Sequence, residues 1–262
     1  MLKDITLGQY FPGESLIHVL DARVKLMLTF AFMIIIFIAN SIINYTILGI
    51  LLLSAIIISK ISPKTFIKSL KPLMLFIMFA LVFNALLTPG QVLAKWWIFT
   101  VTKEGLVFAL LSLCRITYMV LISALLTYTT SPSMMTNAIE KLLKPLAIFK
   151  FPSHEVAMMM TIALRYIPIL IDETDKIIKA QSARCADFES GNIFRRAKAL
   201  IPLLIPLFVS VFRRADELAI AMESRCYRGG EGRTSLYQPR IHRLDYAATL
   251  LVLAVGIITI IL

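Results

Sequence analysis

The residues with most scope for chemistry in this 262-residue chain come as a matched pair of motifs. Asp-x4-Ala-x3-Arg-Cys runs from Asp175 through Ala180 to Arg184 and Cys185, and again, 41 positions on, from Asp216 through Ala221 to Arg225 and Cys226. Two chemistries are on offer: thiols hold metals or exchange disulfides, whereas a guanidinium presents five fixed donors that suit a carboxylate or backbone carbonyls. With Cys114 the cysteines number three, with no CxxC and no Cys/His set at zinc spacing, so neither a disulfide framework nor a metal site is expected. The arginines have a positional logic instead. Phe208, Val211, Phe212, Ala215, Leu218, Ala219 and Met222 recur at spacings of three and four, and Arg225, seven residues past Leu218, continues that helical stripe. Arg184 stands seven after Ile177 and four after Ala180, the same geometry. Gly191 follows the first arginine and Gly229-Gly230 the second, so each is expected near a helix carboxyl terminus. One such arginine complements a helix dipole; two in matching positions suit a partner with two equivalent sites.

Other candidate chemistry is weaker. His154-Glu155 begins like HExxH, but position 158 is Met and the second zinc ligand is missing. Asp172, Glu173 and Asp175 resemble the acidic clusters of magnesium-diphosphate enzymes, yet no second acidic cluster of that density faces them, and acids near a helix amino terminus account for them better. There is no GxxxxGK[ST] loop, so no P-loop binding of ATP by this chain is expected. Arg115 lies within an apolar stretch, where a charge costs about 2.5–3.5 kcal/mol; it reads equally as a tie within the bundle and as a partner contact. No catalytic residue is expected.

The elements that must carry these residues follow from composition. With 58% hydrophobic residues, mean hydropathy +0.82 and 16% charged residues, the chain belongs in a bilayer. The net charge of +11 forms no basic tract with interleaved aromatics, so nucleic acid is not expected. No charge occurs between Lys25 and Lys60, a run too long for one span and interrupted at Asn40-Ser41 and Asn44-Tyr45, which predicts a two-helix hairpin. Residues 72–87, 106–128 and 244–262 predict three more spans, making about five transmembrane helices in an all-α integral membrane protein.

Lys60, Lys64, Lys68 and Lys71 cluster after the hairpin, whereas residues 88–105 hold only Lys95 and Lys103, with Trp96 and Trp97 at a predicted interface. The positive-inside rule then puts the amino terminus in the cytoplasm and the carboxyl terminus outside. Residues 1–25 form an amino-terminal cytoplasmic segment, 26–130 the first four spans, 131–243 a cytoplasmic-side domain of long amphipathic helices, and 244–262 the last span. The 131–243 segment holds 17 of 27 basic and 11 of 16 acidic residues, which sets it apart from the spans. Within it, Ser131-Pro132 starts a helix that ends near Pro145. Apolar stretches 156–171 and 199–212 contain Pro168, Pro202 and Pro206, which are expected to bend or divide their helices; both stretches can lie along the membrane or cross it.

Several stretches, in order, carry a family resemblance: FPGESLIHVLDARVKL at 11–26, then TTSPSMMTNAIEKLLKP, LRYIPIL, KAQSARCADFESG and RRADELAIAMESRCYRGGEGRT. The chain resembles the transmembrane T component of energy-coupling factor transporters, ABC-type prokaryotic importers of vitamins and metal ions. The resemblance implies a non-catalytic scaffold in the cell membrane with two cytoplasmic ATPase subunits, which bind ATP and magnesium, and one substrate-binding membrane subunit. The family carries two Ala-Arg-Gly signatures at the ends of coupling helices that dock into the ATPases. By that resemblance Arg184 and Arg225 are the coupling arginines, preceded by Ala183 and Ser224 and followed by Cys185 and Cys226. Serine replaces alanine once and cysteine replaces glycine twice, which questions any role needing glycine's backbone freedom. Ala22 also stands where the family commonly has proline. Met158, Met159 and Met160, with the three prolines, are expected to form an adaptable surface for the substrate-binding subunit, open to more than one such partner. A stand-alone secondary transporter would show paired halves with polar breaks at mid-membrane, and a polytopic membrane transferase would show convergent acids; neither pattern is present in the spans.

Overall fold

The computed structural model describes residues 10–96, 99–145, 152–184, 186, 200–229 and 241–261. The chain divides into two compact units, one of residues 8–138 and 238–262, the other built on residues 139–237. Trp97, Cys185, Gly191 and Gly230 lie outside the described residues.

In the first unit several helices start where a polar side chain caps them. Ser15 accepts from the His18 amide at the start of α1 (Leu16–Val19), and Asp21 accepts from the Arg23 amide at the start of α2 (Ala22–Ile38). After a turn at Ala39–Ser41, Ser41 caps α3 (Ile42–Ile58) by accepting from Ile43. Lys60, at φ +58°, turns the chain into α4 (Pro63–Leu70), and a short 3-10 turn, Lys71–Leu73, leads to α5 (Met74–Leu87). Thr102 caps α6 (Lys103–Thr129), and α7 (Pro132–Leu143) follows, with proline in its first turn. The last helix of this unit, Arg243–Ile261, is called α10.

All five helices expected as spans are present. By length and composition Pro63–Asn84, Lys103–Thr129 and Arg243–Ile261 can cross a bilayer, and α3 is a shorter apolar helix. The described strands, β1 (Val92–Trp96) and β2 (Phe99–Thr102), form an antiparallel hairpin between α5 and α6 that the hydropathy pattern did not predict. Helix α6 packs against α2, α3, α4 and α5, and α10 packs against α2 and α3. The core between them is apolar: Phe32, Ile36, Leu48, Leu52 and Leu125 are buried. Gly49 permits the close approach of α3 to α6, because a methyl there would collide with the Tyr118 hydroxyl, which donates to the Tyr45 carbonyl at 3.2 Å.

The second unit is built on α8 (Ser153–Ala183) and α9 (Ile201–Ser224), of 31 and 24 residues. At about 1.5 Å per residue these are rods of roughly 47 and 36 Å. Pro168 and Pro206 lie inside them without dividing either; of the two outcomes expected of the prolines, bending or dividing, division does not occur. Each proline removes one backbone bond; Pro168 sits between two long helical arms, whereas Pro206 lies only five residues into α9, near its amino terminus. By length and composition His154–Ala183 can also cross a membrane.

Candidate functional site

The two motif arginines end the two longest rods of the second unit. Arg184 is the C-cap of α8 with φ −94° and ψ 21°, and Arg225 is the C-cap of α9 with φ −94° and ψ 14°. The closing hydrogen bonds also match. Past α8 the Ala186 amide donates to the Gln181 carbonyl at 3.0 Å, and past α9 the Tyr227 amide donates to the Met222 carbonyl at 3.0 Å. These are equivalent positions, 41 residues apart.

The α9 terminus adds the second bond of a Schellman motif, Cys226 amide to Glu223 carbonyl at 2.8 Å, and Cys226 adopts φ +55°. That left-handed position is the one glycine fills without steric cost, and a residue with a Cβ pays about 1 kcal/mol there. The doubt raised by cysteine in place of glycine is thereby answered at Cys226: the backbone still takes the glycine conformation, at a cost. Cys226→Gly is therefore expected to tighten the terminus, slowing hydrogen exchange at the amides of residues 226 and 227 on the order of fivefold, the equivalent of about 1 kcal/mol. Cys226→Val is expected to speed it, because a β-branched side chain fits φ > 0 worse.

The rods pack against each other, and Arg214 Nη2 donates to Glu173 Oε2 at 3.4 Å. Glu173 and Arg214 are themselves equivalent, each 11 residues before its motif arginine. A contact between equivalent positions puts both arginines the same distance beyond it, about 16 Å along each axis. Ala183, Arg184, Ser224, Arg225 and Cys226 are all exposed.

The expected adaptable surface is mostly open. Met159 is 57% and Met160 37% exposed; Pro168 and Pro202 are exposed, while Met158 and Pro206 are half-buried. On α9, Ile205, Phe208, Val209, Phe212 and Ile220 remain exposed and extend this apolar face toward Arg225. A helix that leaves such a stripe uncovered has a face for another molecule or for lipid.

Arg115 resolves as a tie. Its Nε donates to the Tyr45 hydroxyl at 2.9 Å and its Nη2 to the Ala39 carbonyl at 3.3 Å, with the guanidinium carbon 5.9 Å from the Phe37 ring centre. It thus closes the carboxyl end of α2 and holds the α2–α3 turn to α6. His154 Nδ1 lies 2.9 Å from Glu140 Oε1, both within the second unit, and Glu173 is engaged by Arg214. Among the described residues no group of His, Cys, Asp or Glu could hold a metal ion.

Sequence reasoning missed a buried polar cluster in the first unit. Asp245, 1% exposed, accepts from the Asp21 amide at 2.9 Å and from the His242 amide at 2.7 Å. Asp21 also pairs with Arg23 at 2.7 Å, and buried Lys25 donates to the carbonyls of His18 and Thr129 at 3.1 and 3.0 Å. The available signal was Asp245 itself, the only acid in the last 19 residues.

Comparison with known proteins agrees along the chain. A family model described as cobalt transport protein, CbiQ, matches residues 13–236. A protein of Ruminiclostridium cellulolyticum named energy-coupling factor transporter transmembrane protein EcfT is 51% identical over 249 residues, 95% of this chain and 93% of that protein. Proteins of the same name from Clostridium kluyveri and Bacillus subtilis are 48% and 45% identical, covering 99% and 89% of this chain and 97% and 89% of their own lengths.

Proposed function

The chain belongs to the EcfT family within the CbiQ group, and from that membership we propose that it is the scaffold through which two cytoplasmic ATPase subunits drive uptake by a separate substrate-binding membrane subunit. It is the multi-pass transmembrane component of an energy-coupling factor transporter. The observation that carries the finer reading is the pair of exposed helix ends at Arg184 and Arg225, alike in C-cap conformation and in the backbone bond two residues on, and equally far in sequence from the Glu173–Arg214 contact.

In this reading each guanidinium enters a groove on one ATPase and meets carboxylate or carbonyl acceptors, where its planar fork fixes direction as well as distance. Cys226 turns the chain away at once, so that the arginine is the furthest point of its rod. Cys185 has the same place in the first motif. ATP hydrolysis in the partner subunits supplies the work, and this chain binds no nucleotide and performs no catalysis. The rods carry displacement without bending much, because a continuous helix is stiff along its axis. Residues 131–243 then form a cytoplasmic-side coupling domain, with the amino terminus in the cytoplasm and the carboxyl terminus outside, in a prokaryotic cell membrane. The Met158–Met160 segment and the surface around Pro168, Pro202 and Pro206 take the substrate-binding subunit. Methionine repacks around unlike neighbours at little cost, which suits exchange between several such subunits.

Purification from the native membrane tests the reading. Two ATPase subunits per chain and one substrate-binding subunit are expected to co-elute, and a second purified substrate-binding subunit is expected to displace the first. If the chain alone transports substrate in liposomes without ATPases, the scaffold reading is wrong.

A further inference from the structure

We infer that the first unit holds one acyl chain of a membrane phospholipid in a built cavity between α1, α2, α3, α6 and α10. The cavity measures about 340 Å³ and is walled largely by leucine, isoleucine, alanine and phenylalanine. Its floor is the packed core at Phe32, Leu52 and Leu125, and the small side chains of Ala55, Ala247 and Ala248 leave the space open.

Four polar side chains also line it, and each has its hydrogen bond elsewhere. Lys25 donates to the His18 and Thr129 carbonyls, Thr29 to the Lys25 carbonyl, Ser54 to the Leu51 carbonyl and Thr129 to the Leu125 carbonyl. Only the third N–H of the Lys25 ammonium is left over, at one end of the cavity; the rest of the wall is apolar, and an apolar space of this kind does not hold ordered water.

The occupant follows from where the cavity opens. Leu16, Ile58, Leu244 and Leu251 line it and are at the same time 43–58% exposed, so the cavity runs without a polar rim into the apolar surface of membrane helices. In a bilayer the medium against that surface is lipid tails. An empty cavity would forfeit dispersion contacts along its whole wall, and a tail can enter without crossing water. The lining runs about eight residues along α2, α3, α6 and α10, roughly 12 Å, which fits the outer part of one chain within a single leaflet. Lys25 and the end of α6 at Thr129 mark the polar end, where the glycerol would stand, and Leu51 and Ile122 mark the deep end.

The test uses the intact transporter in nanodiscs containing phosphatidylcholine with a diazirine at the end of one acyl chain. After photolysis, labelled peptides are mapped. Leu52 is only 2% exposed, beyond the reach of surface lipid, so labelling there requires entry. We expect label at Leu52 and Leu125 in the natural protein, reduced at least fivefold by Ala55→Phe and by Ala248→Phe. Label at lipid-facing Ile257, which does not line the cavity, should remain unchanged. A probe with the diazirine beside the carboxyl group should instead mark Leu16–Leu20 and Leu244. Label confined to Ile257 and the rim in the natural protein would overturn the inference whether or not the filled variants fold. So would labelling of Leu52 in the isolated chain that disappears in the complete complex, since a partner subunit would then cover the mouth.

Discussion

Reversing charge at both rod ends, Arg184→Glu together with Arg225→Glu, is expected to abolish coupled transport and to release the ATPase subunits during purification. Among the described residues neither guanidinium has a hydrogen-bond or ion-pair partner within the chain, and both are exposed, so the fold does not depend on them. The loss of the favourable charge at each helix carboxyl terminus costs only about 0.3–1 kcal/mol. At a protein interface, by contrast, removing one partner of a desolvated charge pair costs about 2–5 kcal/mol, and an introduced carboxylate adds repulsion to the loss. Each single reversal should therefore weaken binding at its own socket by about thirtyfold or more, yet leave an ATPase held at the other. The double variant has no such reserve. Lysine at both positions keeps the charge and loses the planar fork, so it should retain assembly better than glutamate while transporting poorly. Full transport by the double glutamate variant, with normal insertion in the membrane, would refute the coupling assignment.

What could be read from the sequence was what is local. Helix spacing depends on a few neighbouring residues, so the stripe ending at Arg225 and its copy ending at Arg184 were visible without a structure, as were the uncharged run between Lys25 and Lys60, its interruption at Asn40-Ser41 and the helix start at Ser131. The stop signals were read less well. Arg225 was placed near the end of the second rod, with Gly229-Gly230 beyond it, and it is the C-cap; what side-chain type did not forecast is that the chain turns through a left-handed Cys226 instead of a glycine. Prolines 168 and 206 were expected to bend or divide their helices; both helices continue through them, Pro168 between two long arms and Pro206 near the amino terminus of its rod. The strands at Val92–Thr102 were hidden by their shortness. The Arg115 tie needed partners 70 and 76 residues away in sequence, and the Glu173–Arg214 contact needed the two rods to meet; periodicity carries no record of such pairings.

The largest effect on stability is expected at Asp245, where Asp245→Ala should prevent accumulation of a stably folded membrane unit. The carboxylate has a backbone amide on each oxygen: Asp21, which begins α2, and His242, which precedes α10. It therefore joins two helix amino termini, where the peptide dipoles favour negative charge. Hydrogen bonds to a charged group contribute about 1.5–3 kcal/mol each, and the Asp21 amide left without its acceptor would be buried at a site only 7% exposed. Losing both bonds is thus expected to cost about 3–5 kcal/mol, a large share of a typical folding free energy of 5–15 kcal/mol. Asp245→Asn keeps one oxygen acceptor and should lose roughly half as much. Asp21→Ala removes the cap on the Arg23 amide and the ion pair to Arg23 but leaves the backbone bond to Asp245, so about 1–2 kcal/mol is expected. Thermal unfolding in detergent should rank the variants Asp245→Ala, Asp245→Asn, Asp21→Ala from most to least damaging. Equal, small losses for all three would mean that water reaches the Asp21 amide when α10 is in place, and that α10 is held to α2 by apolar packing alone.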